Sequence, residues 1–552
     1  MVGLGVASLV AAAAVGAVAL SRAPASVSAS AAPRFVEEAL AGGIDHVYDG
    51  DWEFFVGGGA AAFDCNDDGR PDLYLAGGSG AAALYRNDSP VGGQLGFTRL
   101  PDPVTDLTAV TGAYPLDVDG DGLIDLAVLR LGENVLLRGL GDCRFERANE
   151  AWRVDGGSAW TTGFSAAWES SSGLPTLAFG NYLELDANES WTGSCSANTL
   201  FRPRPEGEAY DPPLDLEPGW CTLSILFSDW SGTGSRDLRV SNDRHYYGDS
   251  SGGEEQLWRI PAGTAPTLYT SEDGWQTLRI WGMGIASYDL TGDGRPEVFL
   301  TSQGDNKLQT LVDGSGQPRY GNIALERGVT AHRPFAGGDP LPSTAWHAEF
   351  QDVNNDGFID LFVAKGNVES MPEYAAKDPN NLLLGQPDGT FVEGAEDAGI
   401  LTFARARGGA LVDFNLDGLL DLVVVNRREP VMLWRNTGSG TADEPRPMGR
   451  WVAVRIEQPA PNVDAIGAWI EVRAGGRTVE LELTVGGGHA GGQLGWVHVG
   501  LGENERAEIR VTWPDGEESP WLAVDAGGFV IVERGATEAR RWNPPTERDG
   551  GG

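Results

Sequence analysis

Five short acidic segments hold the side chains of this sequence best suited to chemistry. They share the pattern D-x-[DNT]-x-D-G-x-x-[DE]. The oxygen-bearing side chains are Asp64, Asn66, Asp68 and Asp72; Asp117, Asp119, Asp121 and Asp125; Asp289, Thr291, Asp293 and Glu297; Asp352, Asn354, Asp356 and Asp360; and Asp413, Asn415, Asp417 and Asp421. Positions one, three and five put hard oxygen donors on one side of a tight turn, and glycine at position six permits the bend. Position seven can offer a backbone carbonyl, and position nine returns a carboxylate from the start of the next strand. This is the donor logic of a short calcium loop. The glutamate and flanking helices of an EF-hand are missing, so the loops read as calcium loops between strands. About five Ca²⁺ sites are expected. A sixth loop, with Asp229, Ser231, Thr233 and Asp237, keeps only two carboxylates and should bind weakly or not at all. The intact loops gather sixteen carboxylates, which would repel strongly if unpaired. The metal's expected role is structural, tying strands together. No open coordination position or poised base marks a catalytic site.

The loops must be positioned by a repeated element. Their first residues, Asp64, Asp117, Asp229, Asp289, Asp352 and Asp413, with a degenerate copy at Trp168, recur every 51 to 63 residues. Runs such as LYLAGG, LAVLR, LFVAK and LVVVN follow the loops, with ALYRN, NLLLG or VMLWRN downstream. Each unit reads as about four strands, the size of a propeller blade. The expected fold is all-β: a seven-bladed β-propeller with calcium loops over residues 33–436. FVEGAEDAGI ends the sixth unit, and FVEEALAGGI, from Phe35 to Ile44, precedes the first. The seventh unit has no such segment, so the N-terminal strand is expected to complete the last blade and hide both edges. A Pro/Gly linker over 437–449 leads to a small β-sandwich-like domain over 450–534, and residues 535–552 are expected to be a disordered tail.

Composition narrows the function. Lys+Arg 40 against Asp+Glu 79 gives a net charge of −39, which argues against nucleic-acid binding. Residues 2–20 are apolar, and A-x-A falls at Ala29 to Ala31, so residues 1–31 read as a secretory signal peptide or an uncleaved anchor. No later stretch is apolar enough to span a bilayer. The protein is expected to be secreted or held at the cell envelope. Four cysteines allow three pairings. Cys195–Cys221, closing a Pro-rich loop, is the first choice and leaves Cys65–Cys143; four free thiols are the alternative.

The C-terminal phrases NVDAIGAWIEV, VGGGHAGGQLGWVHVGLG and VTWPDG resemble an ASPIC/UnbV domain. The acidic repeats resemble FG-GAP/VCBS repeats. The combination is similar to bacterial relatives of the cartilage acidic protein family, with GMGIASYDLTGDG and ARGGALVDFNLDGLLDLVVVN adding to the likeness. The resemblance implies a secreted calcium-binding propeller with an added β domain. The degenerate third and fourth repeats imply fewer than seven metals. The leading function is non-enzymatic binding or adhesion to an extracellular protein or glycan. The aromatic-bearing stretches Asn188 to Pro218 and Tyr246 to Thr270 are candidates to decorate the binding face. The alternatives are a polysaccharide-acting enzyme using the propeller channel, with His347 or His489 as the residues to test, and a structural envelope or matrix component. No H-E-x-x-H or P-loop motif is present.

Overall fold

The computed structural model describes residues 31–169, 173–185, 191–205, 208–243, 253–312 and 316–545. The expected signal segment lies almost wholly outside them. No helix among the described residues is long and apolar enough to cross a membrane.

Seven four-stranded antiparallel sheets follow one another as blades. Their innermost strands are Ala60–Phe63, Val110–Leu116, Thr161–Ala167, Thr222–Ser228, Gly282–Tyr288, Ala345–Gln351 and Ala406–Val412. Each acidic loop joins an innermost strand to the next one, which begins at position nine: Asp72–Leu75, Asp125–Arg130, Glu297–Ser302, Asp360–Lys365 and Asp421–Asn426. Both faces of these strands are buried, because each blade packs against two neighbours. Phe362, Leu411 and Leu422, from the sixth and seventh blades, share one apolar cluster. The last sheet is completed by Phe35–Glu37, which pairs antiparallel with Met432–Asn436. That pairing joins the first and last strands of the propeller and closes the ring, and Arg435 with Glu38 forms a buried ion pair beside it.

The stretches expected to decorate a face partly do something else. Asn198–Phe201 and Leu214–Leu216 are the outer strands of the third blade, and Gln256–Arg259 and Thr267–Leu268 those of the fourth. Their Pro and Gly content hides the strand pattern. Both disulfides are present: Cys65–Cys143 joins the first two blades, and Cys195–Cys221 ties an added hairpin to the fourth.

The C-terminal domain is two four-stranded sheets. Val452, Val454 and Ile456 point into its core with Ile470, Val472, Ile509 and Val511. The alternate residues Trp451 and Ala453 face the propeller and pack with Leu416. The expected tail disorder is overturned over part of its length. Arg540–Trp542 pairs with Gly528–Glu533, and Trp542 packs tilted against Trp496 and edge-on to Phe529. Aromatic burial and an open sheet edge together outweigh the polar composition there. Residues 546–552 lie outside the described set.

One loop of this domain enters the propeller channel. Val485, Gly486, Gly488, Gly491 and Gln493 form β-bridges to the innermost strands of the third, fourth, fifth, second and first blades. His489 donates its backbone N–H to His347 Nδ1 on the sixth blade, 3.2 Å away. The glycines make this approach possible: a Cβ on Gly59 or Gly112 would overlap the Ala490 carbonyl oxygen. Gly112→Val is therefore expected to destabilise the whole molecule by roughly 1–3 kcal/mol. A urea midpoint equal to that of the parent would show that the loop does not pack as described.

Candidate metal centres

Each acidic loop is first a hydrogen-bonded turn. The position-one carboxylate accepts the N–H of the position-six glycine, as in Gly69 to Asp64 at 2.7 Å, Gly122 to Asp117 at 2.8 Å and Gly294 to Asp289 at 2.8 Å. The sixth and seventh blades repeat it, with Gly357 to Asp352 and Gly418 to Asp413, both at 2.7 Å. These glycines all have positive φ, which only glycine adopts without strain. Position five accepts the position-seven N–H at Asp68, Asp121, Asp293, Asp356 and Asp417. At position three, Asn66, Asn354 and Asn415 donate through Nδ2 to the position-five carboxylate and keep Oδ1 as an acceptor. Asn415 Oδ1 and Asp119 Oδ1 are buried without a hydrogen-bond partner. Thr291 takes the same position in the fifth blade, 3.5 Å from Glu297.

Position nine does a job that the sequence pattern does not reveal. Its two oxygens bind two backbone N–H groups. Asp72 takes those of Cys65 and Asn87, Asp125 those of Val118 and Gly139, Asp360 those of Val353 and Gly385, and Asp421 those of Phe414 and Asn436. Glu297 binds the Leu290 N–H and the Thr310 hydroxyl. The carboxylate thus pins the loop to two strands of its blade. Among the described residues, Asp117, Asp119 and Asp121 place oxygens within 4.8 Å of one another, and Asp125 is outside that group. Cys65, Cys143 and Asp72 also cluster, but the two sulfurs form a disulfide and are not thiolate ligands.

Burial pushes these carboxyls upward. Asp64 and Asp417 rise to about 6, Asp117 to about 7 and Asp125 to about 8. Asp72, Asp352, Asp360, Asp413 and Asp421 are also raised, first by desolvation and then by neighbouring carboxylates. Buried acids that repel one another and retain unused oxygen lone pairs fit a hard divalent cation. In the second loop Arg138 supplies part of that charge, with Nε 2.8 Å from Asp119 and Nη2 2.9 Å from Asp121.

The weakened fourth loop is organised differently. Asp229 keeps its turn bond to Gly234. Asp237, however, is taken up by Trp230 Nε1, the Tyr269 hydroxyl and the Ile260 N–H. Ser231 and Thr233 bond to each other. Glu482 of the C-terminal domain accepts from the Asp229 N–H, with Arg236 3.7 Å away. In the third blade Trp168 is buried at position one, and Glu169 is held by Arg202.

The C-terminal domain sits on the loop tips, a relation not legible in the local pattern of residues. Trp496 Nε1 donates to the Gly69 carbonyl, and Arg477 donates to the carbonyls of Asp356 and Gly357. His498 Nε2 lies 2.6 Å from Asn355 Oδ1, and burial lowers its pKa to about 3. Trp451 packs against Gly418. His489, in the small-residue run, receives the Gly57 N–H at Nε2, so the small residues there accommodate the propeller strands.

The two roles of the loop carboxylates predict different mutant phenotypes. Asp360→Ala strips the partners from two buried N–H groups, a loss of about 1–3 kcal/mol each, and should destabilise with or without calcium. Asp356→Ala removes the acceptor of the part-buried Phe358 N–H and should cost less than Asp360→Ala in a chelator, with a larger loss in calcium. Equal losses for both variants in a chelator would refute the division of labour.

A family model described as ASPIC and UnbV matches residues 458–539. One described as FG-GAP-like repeat matches residues 64–128 and 352–424. Cartilage acidic protein 1 of Mus musculus is 24% identical over 249 residues, covering 43% of this chain and 34% of that protein. The Homo sapiens protein is also 24% identical, and the chain covers 33% of it. The chain therefore spans about a third of the length of these relatives. Among solved structures, the Dos1 propeller aligns with a TM-score of 0.35 and 11% identity, covering 75% of this chain and 97% of that one. An Agrocybe aegerita lectin that recognises non-reducing terminal N-acetylglucosamine aligns with a TM-score of 0.39 and 16% identity, covering 69% and 92%.

Proposed function

We propose that this chain, which carries FG-GAP-like repeats and an ASPIC/UnbV domain, acts as an exported, calcium-clamped propeller that binds an extracellular protein or glycan without catalysing a reaction. The observation that carries the reading is the set of five intact loops. Their buried position-one carboxyls are raised above the ordinary range, a state that a divalent cation relieves. Bound there, Ca²⁺ would supply charge neutralisation and hold Asp64, Asp117, Asp289, Asp352 and Asp413 as carboxylates. Two disulfides suit an oxidising compartment outside the cytosol.

The C-terminal domain occupies the loop face, so the partner surface belongs on the opposite face. There the turn Trp52–Phe54 precedes the first innermost strand, and Trp52 is 40% exposed. Arg428, Asp49 and Glu369 form an ion-pair network nearby. An exposed indole beside charged hydrogen-bonding groups suits a sugar ring or a protein hot spot. The channel that an enzymatic reading would use is threaded by residues 485–493.

The test is a glycan array and an extracellular-protein pull-down, in calcium, with the parent and Trp52→Ala. Binding that weakens at least tenfold in the variant supports the proposal. Binding unaffected by the change moves the surface elsewhere. Self-association without any partner favours the assembly role, and turnover of a polysaccharide overturns the non-enzymatic reading.

A further inference from the structure

Between the innermost strands and the C-terminal domain lies a cavity of about 250 Å³, reaching the Asp413 loop at one side and remote from the outer face. At about 30 Å³ per water it would hold roughly eight waters. Tyr114, Tyr288, Phe350 and Leu494 give it an apolar, aromatic wall. Glu349, Asp413 and Glu482 also line it, and none of its described lining residues is lysine or arginine.

Glu349 is the centre of its polar side. Its carboxylate accepts from Gln493 Nε2 at 2.6 Å, Gln351 Nε2 at 2.9 Å and the Leu411 N–H at 3.0 Å. All three donors are neutral. Two further groups facing the cavity lack partners. His347 is 4% exposed, and its Nδ1 accepts the His489 N–H, so Nε2 carries the proton. That Nε2 has no hydrogen-bond partner and stands 3.6 Å from Glu349. Gln493 Oε1 is a buried acceptor without a donor. Unmet buried donors and acceptors cost free energy until something meets them.

We propose that this cavity binds a small amino alcohol with an apolar body. The ammonium pairs with Glu349 and donates to Gln493 Oε1, and the aromatic wall adds cation–π attraction. The hydroxyl oxygen accepts from His347 Nε2–H. The hydrocarbon part covers Leu494 and the rings. Glu349, Gln351 and Gln493 keep part of their surface exposed, which gives the ligand a way in. An anion is disfavoured by the three acids, and a purely apolar ligand would leave His347, Glu349 and Gln493 unmatched.

The test is calorimetry on the full chain in calcium with three probes of equal shape. Phenylethanolamine has both groups, phenylethylamine lacks the hydroxyl and phenylethanol lacks the amine. The expected order is phenylethanolamine tightest, phenylethylamine several-fold weaker and phenylethanol at least tenfold weaker. Glu349→Gln should weaken the amines at least tenfold and leave phenylethanol unchanged, with the unfolding temperature recorded alongside. The wild-type series decides the matter if that variant does not fold. Equal affinity for the amine and the alcohol, or no binding of any probe at millimolar concentration, overturns the proposal and leaves a water-filled gap. Neither result bears on binding at Trp52.

Discussion

Adding millimolar Ca²⁺ to chelated protein is expected to raise its unfolding temperature by roughly 5–10 °C, with about five ions bound. Loops with dissociation constants near 10⁻⁴ M would each gain about 1.4 kcal/mol at 1 mM metal, since stabilisation follows RT ln(1 + [L]/Kd). Five such sites give about 7 kcal/mol, and a body this large shifts by about 1 °C per kcal/mol. The loop tips carry the C-terminal domain through Trp496 on Gly69, Arg477 on Asp356 and Gly357, and Trp451 on Gly418. Chelation should therefore also change tryptophan emission and expose the 437–449 segment to protease before global unfolding. Scanning calorimetry with bound-metal analysis and limited proteolysis reads all three effects. An unchanged midpoint with no bound metal would reduce the loops to turns.

The second large effect is a reversal of pH dependence by calcium. Asp64, Asp117 and Asp125 have folded-state pKa values of about 6, about 7 and about 8, against 3.8 for the free side chain. Between those limits the folded chain holds more protons than the unfolded one, so stability falls as pH rises. Chelated protein should melt several degrees higher at pH 5 than at pH 8. Calcium binds the ionised carboxylates, and protons compete with it. The calcium-induced gain should therefore grow from pH 5 to pH 8. Asp125→Asn removes one contributor and should flatten the chelated profile in that window. A chelated melting temperature that rises with pH, or a calcium gain independent of pH, would contradict the burial of these groups.

Much of the architecture could be read from local pattern. The loop glycines and the aspartates at positions one and five form bonds within a few residues, so their spacing specifies the turn. Short apolar, β-branched-rich runs revealed the strands after each loop, and the FVEGAEDAGI and FVEEALAGGI segments lie at equivalent outer-strand positions of the last two blades. The strands Asn198–Phe201 and Leu214–Leu216 escaped because they are only four and three residues long and lie between prolines and glycines. The strand Arg540–Trp542 escaped because its burial depends on Trp496 and Phe529, distant in sequence.

Neighbouring residues settle the repeat length, the strand-forming runs, the loop turns and the excess of acid over base. What distant segments do to one another came from the folded molecule. It spent the position-nine carboxylates on backbone N–H groups, set Glu482 against the Asp229 N–H of the fourth loop, and threaded the glycine-rich loop through the channel. A repeat specifies its own hydrogen bonds because their partners recur at fixed separation. A contact such as His489 to His347 occurs once, across 142 residues, and exists only when the ring has closed around it.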